Sequence, residues 1–397
     1  PKARYEEIYT GWAYPPKDWA KWEELVYQWV RHCLSRYGKT EVEKWWWETW
    51  NEANIGYWRG TPEEFRRLHE VSVRAVRRAL PTARVGGSDV AGDGGQFQRD
   101  FFAHCIKNNV PTDFVSFHSK GAPTFVDGHV RMGIANQLRT IDAGFRIIAS
   151  YPELKDKPIV IGESDPDGCA ACQGPQLGYR NSTLFSSYTA AVFARKHELA
   201  DRHGVNLEGA LTWAFTFEDQ PLFAGFRQLA TGGLPLPVLN VFRMYGKMDG
   251  ERVEAQSNAA VSLDKMMKDG VREAPDVAAQ AAISGKKLSV MVWHYHDDDT
   301  AGPNAEITLT LENLPKNRGA AKLTHWRIDE SHSNAYTAWQ AMGSPQKPTK
   351  AQYAQLEAAS KLQQLNSPER VTIEAGKLAI PFTLPRRGVS LLLLEWR

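Results

Sequence analysis

What most constrains the fold of this 397-residue chain is a repeated switch of hydrophobic period along its first 250 residues. Short apolar runs of strand length alternate with longer stretches whose apolar side chains recur every three or four positions. Over 16–37, Trp22, Leu25, Val26, Trp29, Val30, Cys33, Leu34 and Tyr37 share one helical face, and Gly38 stands at the C-terminal stop. The block Trp45, Trp46, Trp47, Glu48, Thr49, Trp50 reads as a buried strand, and Asn51, Glu52, Ala53 and Asn54 as the loop after it. Thr61, Pro62 and Glu64 then supply the N-cap, the N1 proline and the N3 acid of a capping box, opening a helix that runs to Leu80.

The unit recurs as strand 83–86 with helix 98–108, strand 113–117 with helix 134–149, and strand 158–162 with helix 182–202. A last strand, 209–215, leads to a helix at 237–248. This is the pattern of parallel βα units. Polar residues follow the C-terminal ends of several strands: Asn51 and Glu52, Ser88 and Asp89, His118, Glu163, and Trp213. Such ends converge on one mouth in a closed barrel, so a TIM-type (β/α)8 barrel is expected rather than an open doubly wound sheet.

After about residue 250 the texture changes. Segments 287–296, 305–311, 321–328, 370–374, 378–382 and 389–396 read as strands, interrupted by one helix at 349–364. The expectation is an α/β chain with a catalytic barrel over 1–250 and an antiparallel β-sandwich over 251–397. Only five barrel strands are legible where eight are needed.

Composition narrows the function. Forty-eight Lys and Arg against 46 Asp and Glu leave a charge of +2 with no basic cluster, so nucleic acid is not an expected partner. No apolar run reaches the roughly 18 residues of a membrane span, so no membrane partner is expected either. Four cysteines are too few for a disulfide scaffold, and the opening Pro1, Lys2, Ala3, Arg4 carries no leader pattern; neither decides the compartment. Fourteen Trp beside 13 Tyr and 16 Phe are a marked excess that suits either sugar stacking or core filling.

Two carboxylates end buried strands with no neutralising neighbour in sequence: Glu52 after Trp50 and Asn51, and Glu163 after Ile159, Val160, Ile161 and Gly162. A retaining glycosidase needs one carboxylic acid to protonate the leaving oxygen and one carboxylate to attack the anomeric carbon, about 5–5.5 Å apart. A strand-end Glu taken singly is more often a helix-cap or ion-pair partner; two, one of them in an Asn-Glu pair within a Trp-rich segment, reverse that balance and point to this chemistry. Cys169 and Cys172 form a CxxC read as a loop disulfide or two free thiols. The run His294, Tyr295, His296, Asp297, Asp298, Asp299 reads as a polar turn rather than a metal site.

The segments Trp50-Asn51-Glu52-Ala53-Asn54, Phe117-His118-Ser119, Val160-Ile161-Gly162-Glu163 and Leu211-Thr212-Trp213-Ala214-Phe215, in that order, resemble glycoside hydrolase family 39, the β-xylosidases and α-L-iduronidases. The resemblance extends over nearly the whole chain, including Arg327-Ile328-Asp329-Glu330. It implies a (β/α)8 barrel with Glu52 as acid/base on the fourth strand, Glu163 as nucleophile on the seventh, and Asn51 on the sugar 2-hydroxyl. It further implies His118 beside the nucleophile, Trp213 as platform under the sugar, and Glu218 and Asp219 as hydroxyl acceptors. Tyr179 and Arg180 would line the pocket, and Trp58 would wall the aglycone side; a loop Trp packed on a helix is the other reading of Trp58. Ala53 replaces the family's usual proline. Pro1, Lys2 and Ala3 resemble the end of the third barrel strand, so strands one to three are expected to be missing from this chain, with a separate segment or a second copy completing the barrel.

The expected activity is release of terminal xylose from β-1,4-xylo-oligosaccharides by double displacement, with no cofactor and no metal. Rival expectations are an iduronidase- or arabinosidase-like specificity, for which Lys120 and Arg180 are the nearby basic residues, and an inactive carbohydrate-binding fragment.

Overall fold

The computed structural model describes residues 13–314 and 320–396. The expectation placed on Pro1, Lys2 and Ala3 lies outside the described residues. The chain divides into two compact units, each taken here by itself. One comprises the residues up to Lys120, Leu138–Asp165 and Lys196–Thr212; the other comprises Gly121–Gln137, Pro166–Arg195 and the residues from Trp213 on. Their interleaving differs from a single cut at residue 250, and the division into 1–250 and 251–397 stands as a proposal about domains.

The first unit carries the parallel strands. In chain order come α1 (Trp19–Tyr37), β1 (Trp46–Glu48), α2 (Pro62–Ala79), β2 (Arg84–Gly86), α3 (Gly95–Lys107), β3 (Val115–Lys120), α4 (Ile134–Ala149), β4 (Pro158–Asp165), α5 (Thr183–His203) and β5 (Asn206–Ala210), the residues before Leu138 in α4 and before Lys196 in α5 being counted with the second unit. Helix starts follow local chemistry. Asp18 caps α1 by accepting from Ala20 N and Lys21 N, and the Thr61 and Glu64 capping box closes as the spacing predicts. Trp22 Nε1 donates to Ser72 Oγ at 2.8 Å, tying α1 to α2.

β1 pairs β2 in parallel, and β3, β4 and β5 form a parallel sheet in sequence order. Isolated bridges Gly86 to Phe114 and Val90 to Phe117 link the two groups. Five parallel strands thus follow one another among the described residues, the order consecutive strands of a βα barrel adopt. Gly86 permits the close approach, since a Cβ there would collide with the Phe114 carbonyl and ring.

The last of the five differs from expectation. The strand is Asn206–Ala210, not 209–215. Leu211 still exchanges bonds with Ile161 and Ser164, but its successors leave the ladder.

One irregularity decides which side chains meet. Between β3 and β4 the register runs Phe117 to Ile161 and then His118 to Glu163, so Gly162 is an extra residue on β4. Because side chains alternate faces with period two, this bulge shifts Glu163 and Asp165 onto the face of His118 and Lys120. On the other face, Phe117 packs edge-on against Phe145 of α4 at 5.9 Å.

The second unit contains α6 (Pro237–Tyr245) and the antiparallel strands β6 (Glu251–Val253), β7 (Asp276–Ser284), β8 (Lys287–Tyr295), β9 (Ala305–Leu311), β10 (Ala321–Ile328), β11 (Gln363–Gln364), β12 (Glu369–Val371), β13 (Leu378–Leu384) and β14 (Val389–Trp396). One sheet runs β6-β7-β8-β14-β10-β11, with β12 also on β10; β9 and β13 form a second, two-stranded sheet. Val290, Val292, Leu323, Leu392 and Leu394 from the first meet Leu311, Ile380 and Leu384 from the second in one core. That is a sandwich. β7 lies in a segment read as strand-free, and the helix expected over 349–364 is Lys350–Ser360 followed by β11. No helix of the described residues is long and apolar enough to cross a membrane.

Candidate active site

In the first unit, β3 presents Ser116, His118 and Lys120 on one face by simple alternation. Each engages a carboxylate. Ser116 Oγ donates to Glu48 and itself accepts from Asp89 N. His118 Nδ1 lies 2.8 Å from Glu52 Oε1 and 3.7 Å from Glu163 Oε2, while Nε2 lies 2.8 Å from Asp89 Oδ1. Lys120 Nζ donates to Glu163 Oε2 at 2.7 Å and to Asp165 Oδ2 at 2.5 Å.

An oxygen of Glu52, a ring nitrogen of His118 and an oxygen of Glu163 all lie within 4.8 Å of one another. The side chains of Glu52 and Glu163 are 14% and 15% exposed, so both carboxylates are sunk yet reachable. This trio has the donor set of a metal cluster. Yet both imidazole nitrogens already face carboxylates and Lys120 occupies the Glu163 oxygen, so cations borne on side chains do the neutralising here.

Backbone strain helps to build the site. Glu52 (φ 51°) and Asp89 (φ 50°) both sit in the left-handed region, uncommon for residues other than glycine, and Glu52 N donates to Asp89 O at 2.8 Å. Asn54 fixes the same turn, its side-chain amide bonding both the N–H and the carbonyl of Ala91.

Burial alone would drive His118 towards neutrality, but its hydrogen bonds to Asp89 and Glu52 outweigh that and push its pKa up to about 9. At neutral pH the ring is a cation set among three carboxylates. Its nearest carboxylate partners are Glu52 and Asp89, rather than the Glu163 expected from sequence; the closest cation to Glu163 is Lys120.

Gly162 makes room for this arrangement. A Cβ there would collide with Asp89 Oδ1 and lie 3.3 Å from His118 Nε2. Gly162→Ala is therefore expected to cost about 1–3 kcal/mol of stability by overpacking and to lower kcat/KM by about tenfold or more as the imidazole is displaced. Thermal unfolding and steady-state kinetics on the variant check both; an unchanged Tm with full activity would remove the steric argument.

Not every expected residue belongs to this cluster. Asn51 is exposed beside Glu52. Trp58 is only 6% exposed, packs edge-on against Trp50 and Phe65 and donates to Thr61 O, so the packed-loop reading describes it and little ring face is left for a sugar. In the second unit, Tyr179 and Arg180 are fully buried rather than lining a pocket. Tyr179 donates to Asp167, and Arg180 binds Asp167 and the carbonyls of Cys169, Ala170, Cys172 and Gly225. Arg180 thus clamps the loop that the Cys169–Cys172 disulfide closes, and is committed there.

Also in the second unit, Trp213 is half-buried; Arg227 donates to its carbonyl, and its ring centroid lies 4.0 Å from that of Phe215. Glu218 and Asp219 are exposed on the rim of a cavity of about 620 Å³, which also includes Phe215, Phe217 and Gln228. His296 and Asp297 hold backbone groups, with Val271 N donating to Asp297 Oδ2, as a polar turn does. Sequence reading placed Asp89 at a strand end without giving it a role, and it did not single out Asp165. Asp165 carried a signal, standing two residues beyond Glu163 and so on the same strand face.

Two carboxylates facing each other across the C-terminal ends of parallel strands, with cations behind them, make the arrangement of a glycoside hydrolase. The family model for glycosyl hydrolases family 39 matches residues 4–376, and the chain belongs to that family. It is 27% identical over 367 residues to a β-xylosidase of Caldicellulosiruptor saccharolyticus, covering 89% of this chain and 69% of that protein. It is also 27% identical to an α-L-iduronidase of Mus musculus, covering 85% of this chain and 56% of that protein. Among solved structures, a monomeric β-xylosidase from Caulobacter crescentus superposes with a TM-score of 0.75 at 21% identity, covering 96% of this chain and 76% of that one.

Proposed function

We propose that the chain acts as a retaining exo-glycosidase on short xylo-oligosaccharides, releasing terminal β-1,4-linked xylose. The observation that carries the reading is the spacing of Glu52 and Glu163, whose oxygens lie within 4.8 Å. An inverting pair stands about 6.5–9.5 Å apart to admit a water; this one suits direct attack.

In the first step a Glu163 oxygen attacks the anomeric carbon, the glycosidic C–O bond breaks, and Glu52 gives its proton to the departing oxygen. In the second, Glu52 takes a proton from water, the resulting hydroxide oxygen bonds to the anomeric carbon, and Glu163 leaves. His118 and Lys120 hold compensating positive charge throughout. Asn51, Trp213, Glu218 and Asp219 remain the proposed sugar contacts, and no cofactor takes part. Likeness to named β-xylosidases favours xylose.

A second reading has its own observation. Lys120 carries an ammonium 2.7 Å from Glu163, where a uronate carboxylate would find a cation, and relatives include α-L-iduronidases. Arg180, the other basic residue considered, is buried against Asp167. Hydrolysis of aryl β-xyloside beside aryl α-iduronide distinguishes the two. Turnover of the xyloside at least tenfold faster supports the first reading; the reverse order, abolished by Lys120→Met, supports the second. No turnover of either by folded protein would leave a carbohydrate-binding role.

A further inference from the structure

Asp165 is fully buried, on the same face of β4 as Glu163 and two residues further on. A buried carboxylate requires partners. It accepts from Lys120 Nζ at 2.5 Å and from Thr212 Oγ1 at 2.6 Å, and its charge also acts on the buried Lys196. Lys120 Nζ is consequently shared, 2.7 Å from Glu163 Oε2 and 2.5 Å from Asp165 Oδ2. The cross-strand register that pairs Lys120 with Asp165 and His118 with Glu163 sets this geometry.

A carboxylate that must attack carbon faces opposing demands. A nearby cation keeps it ionised, whereas an ammonium held wholly by one of its oxygens withdraws the electron density the attack needs. Sharing the ammonium with a second carboxylate resolves the conflict.

We infer that Asp165 is a positioning residue that divides the Lys120 ammonium between two carboxylates and thereby leaves Glu163 ionised and free to attack. The inference rests on Glu163 being the nucleophile. With Asp165 made neutral, a larger share of the Lys120 ammonium falls to Glu163. The first step then slows, because the Glu163 oxygen forming the new bond to carbon is the one held back. The second step is not slowed, because there Glu163 departs as an anion that the undivided ammonium stabilises.

The test separates the steps. A 2-deoxy-2-fluoroxylosyl fluoride, or the corresponding iduronyl fluoride if that is the substrate found, traps the glycosyl-enzyme, so its inactivation rate reports attack by Glu163. Hydrolysis of the trapped species, followed by return of activity, reports the second step. Asp165→Asn is expected to inactivate about 100-fold more slowly than wild type, with reactivation unchanged or faster and KM for the aryl glycoside within about threefold. Asp165→Glu is expected to recover a large part of the lost rate, which replacement of a purely structural residue by a longer side chain would not do.

If Asp165→Asn fails to fold, Thr212→Val decides: removing one donor to Asp165 is expected to slow inactivation severalfold and leave reactivation intact. Folded Asp165→Asn inactivating within threefold of wild type overturns the inference, as do equal losses in both steps. Full activity of Glu163→Ala would instead overturn the proposed mechanism itself, and the role of Asp165 with it.

Discussion

Glu163→Ala is expected to lower turnover of an aryl glycoside by at least about 10⁴-fold while leaving the thermal unfolding profile close to that of the wild type, because it removes the proposed nucleophile. Adding azide then restores turnover, since the truncated side chain leaves space for a small anion to attack in place of the carboxylate. One displacement replaces two, so a β-xyloside gives the α-xylosyl azide. Glu52→Ala behaves differently. With a good leaving group such as dinitrophenolate, which needs no proton, the first step stays fast and the glycosyl-enzyme accumulates. Azide attacking that intermediate yields the β-xylosyl azide, the outcome of two displacements. The anomeric configuration of the two azides therefore assigns both roles in one experiment. The same configuration from both variants, or a Glu163→Ala enzyme retaining a tenth of its activity, would show that these acids do not divide the work in this way.

The second large effect concerns His118. A side-chain pKa raised from 6.5 to about 9 corresponds to about 3 kcal/mol of linked stabilisation. The sign follows from the direction of the shift. The folded protein binds this proton more tightly than the unfolded chain, so the contribution is complete below about pH 6.5 and fades as pH rises through about 9. Urea unfolding of wild type and His118→Gln is expected to show a wide gap at pH 6 and a narrow one at pH 9.5. A gap independent of pH would mean that the ring is neutral in the folded protein. Activity should fall as well, by about 10²- to 10³-fold, because the variant leaves Glu52, Asp89 and Glu163 together without the positive charge between them.

Much of this fold is written in local pattern. The Thr61 capping box, the α1 stripe from Trp22 to Tyr37 and the apolar runs of β3 and β4 are short-range signals, and the elements appear where those signals fall. β7 escaped because Asp276–Ser284, with its four alanines, carries only Val277 and Ile283 of the β-branched and aromatic residues that advertise a strand. Its conformation comes instead from pairing with β8 across the turn at Gly285 and Lys286. Glu52 and Glu163 were singled out because each follows an apolar run of strand length and has a recognisable neighbour. The cations were not assignable in the same way. That His118 attends Glu52 and Asp89 while Lys120 attends Glu163 depends on strand register, and register is a long-range property with no marker at either residue. Tyr179 and Arg180 misled for a related reason: closeness in sequence to a catalytic loop says nothing about whether a side chain turns into the core, while Trp58 takes the packed-loop reading that the sequence had left open.

The surplus glycine on β4 makes this centre sensitive to counting. Inserting one residue beside Gly162 would leave every reacting group in the polypeptide and every flanking element with its helix or strand preference intact. With the bulge absorbing only one residue, the ladder from Val115 and Ile159 would nevertheless place the inserted residue opposite His118 and Glu163 opposite Ser119, turned towards the helical layer, with Ser164 opposite Lys120. The proposed nucleophile would be present in composition and absent from the chemistry. A one-residue insertion here is thus predicted to be far more damaging than most single substitutions around it, whereas loss of Gly162 itself would keep His118 opposite Glu163 and Lys120 opposite Asp165.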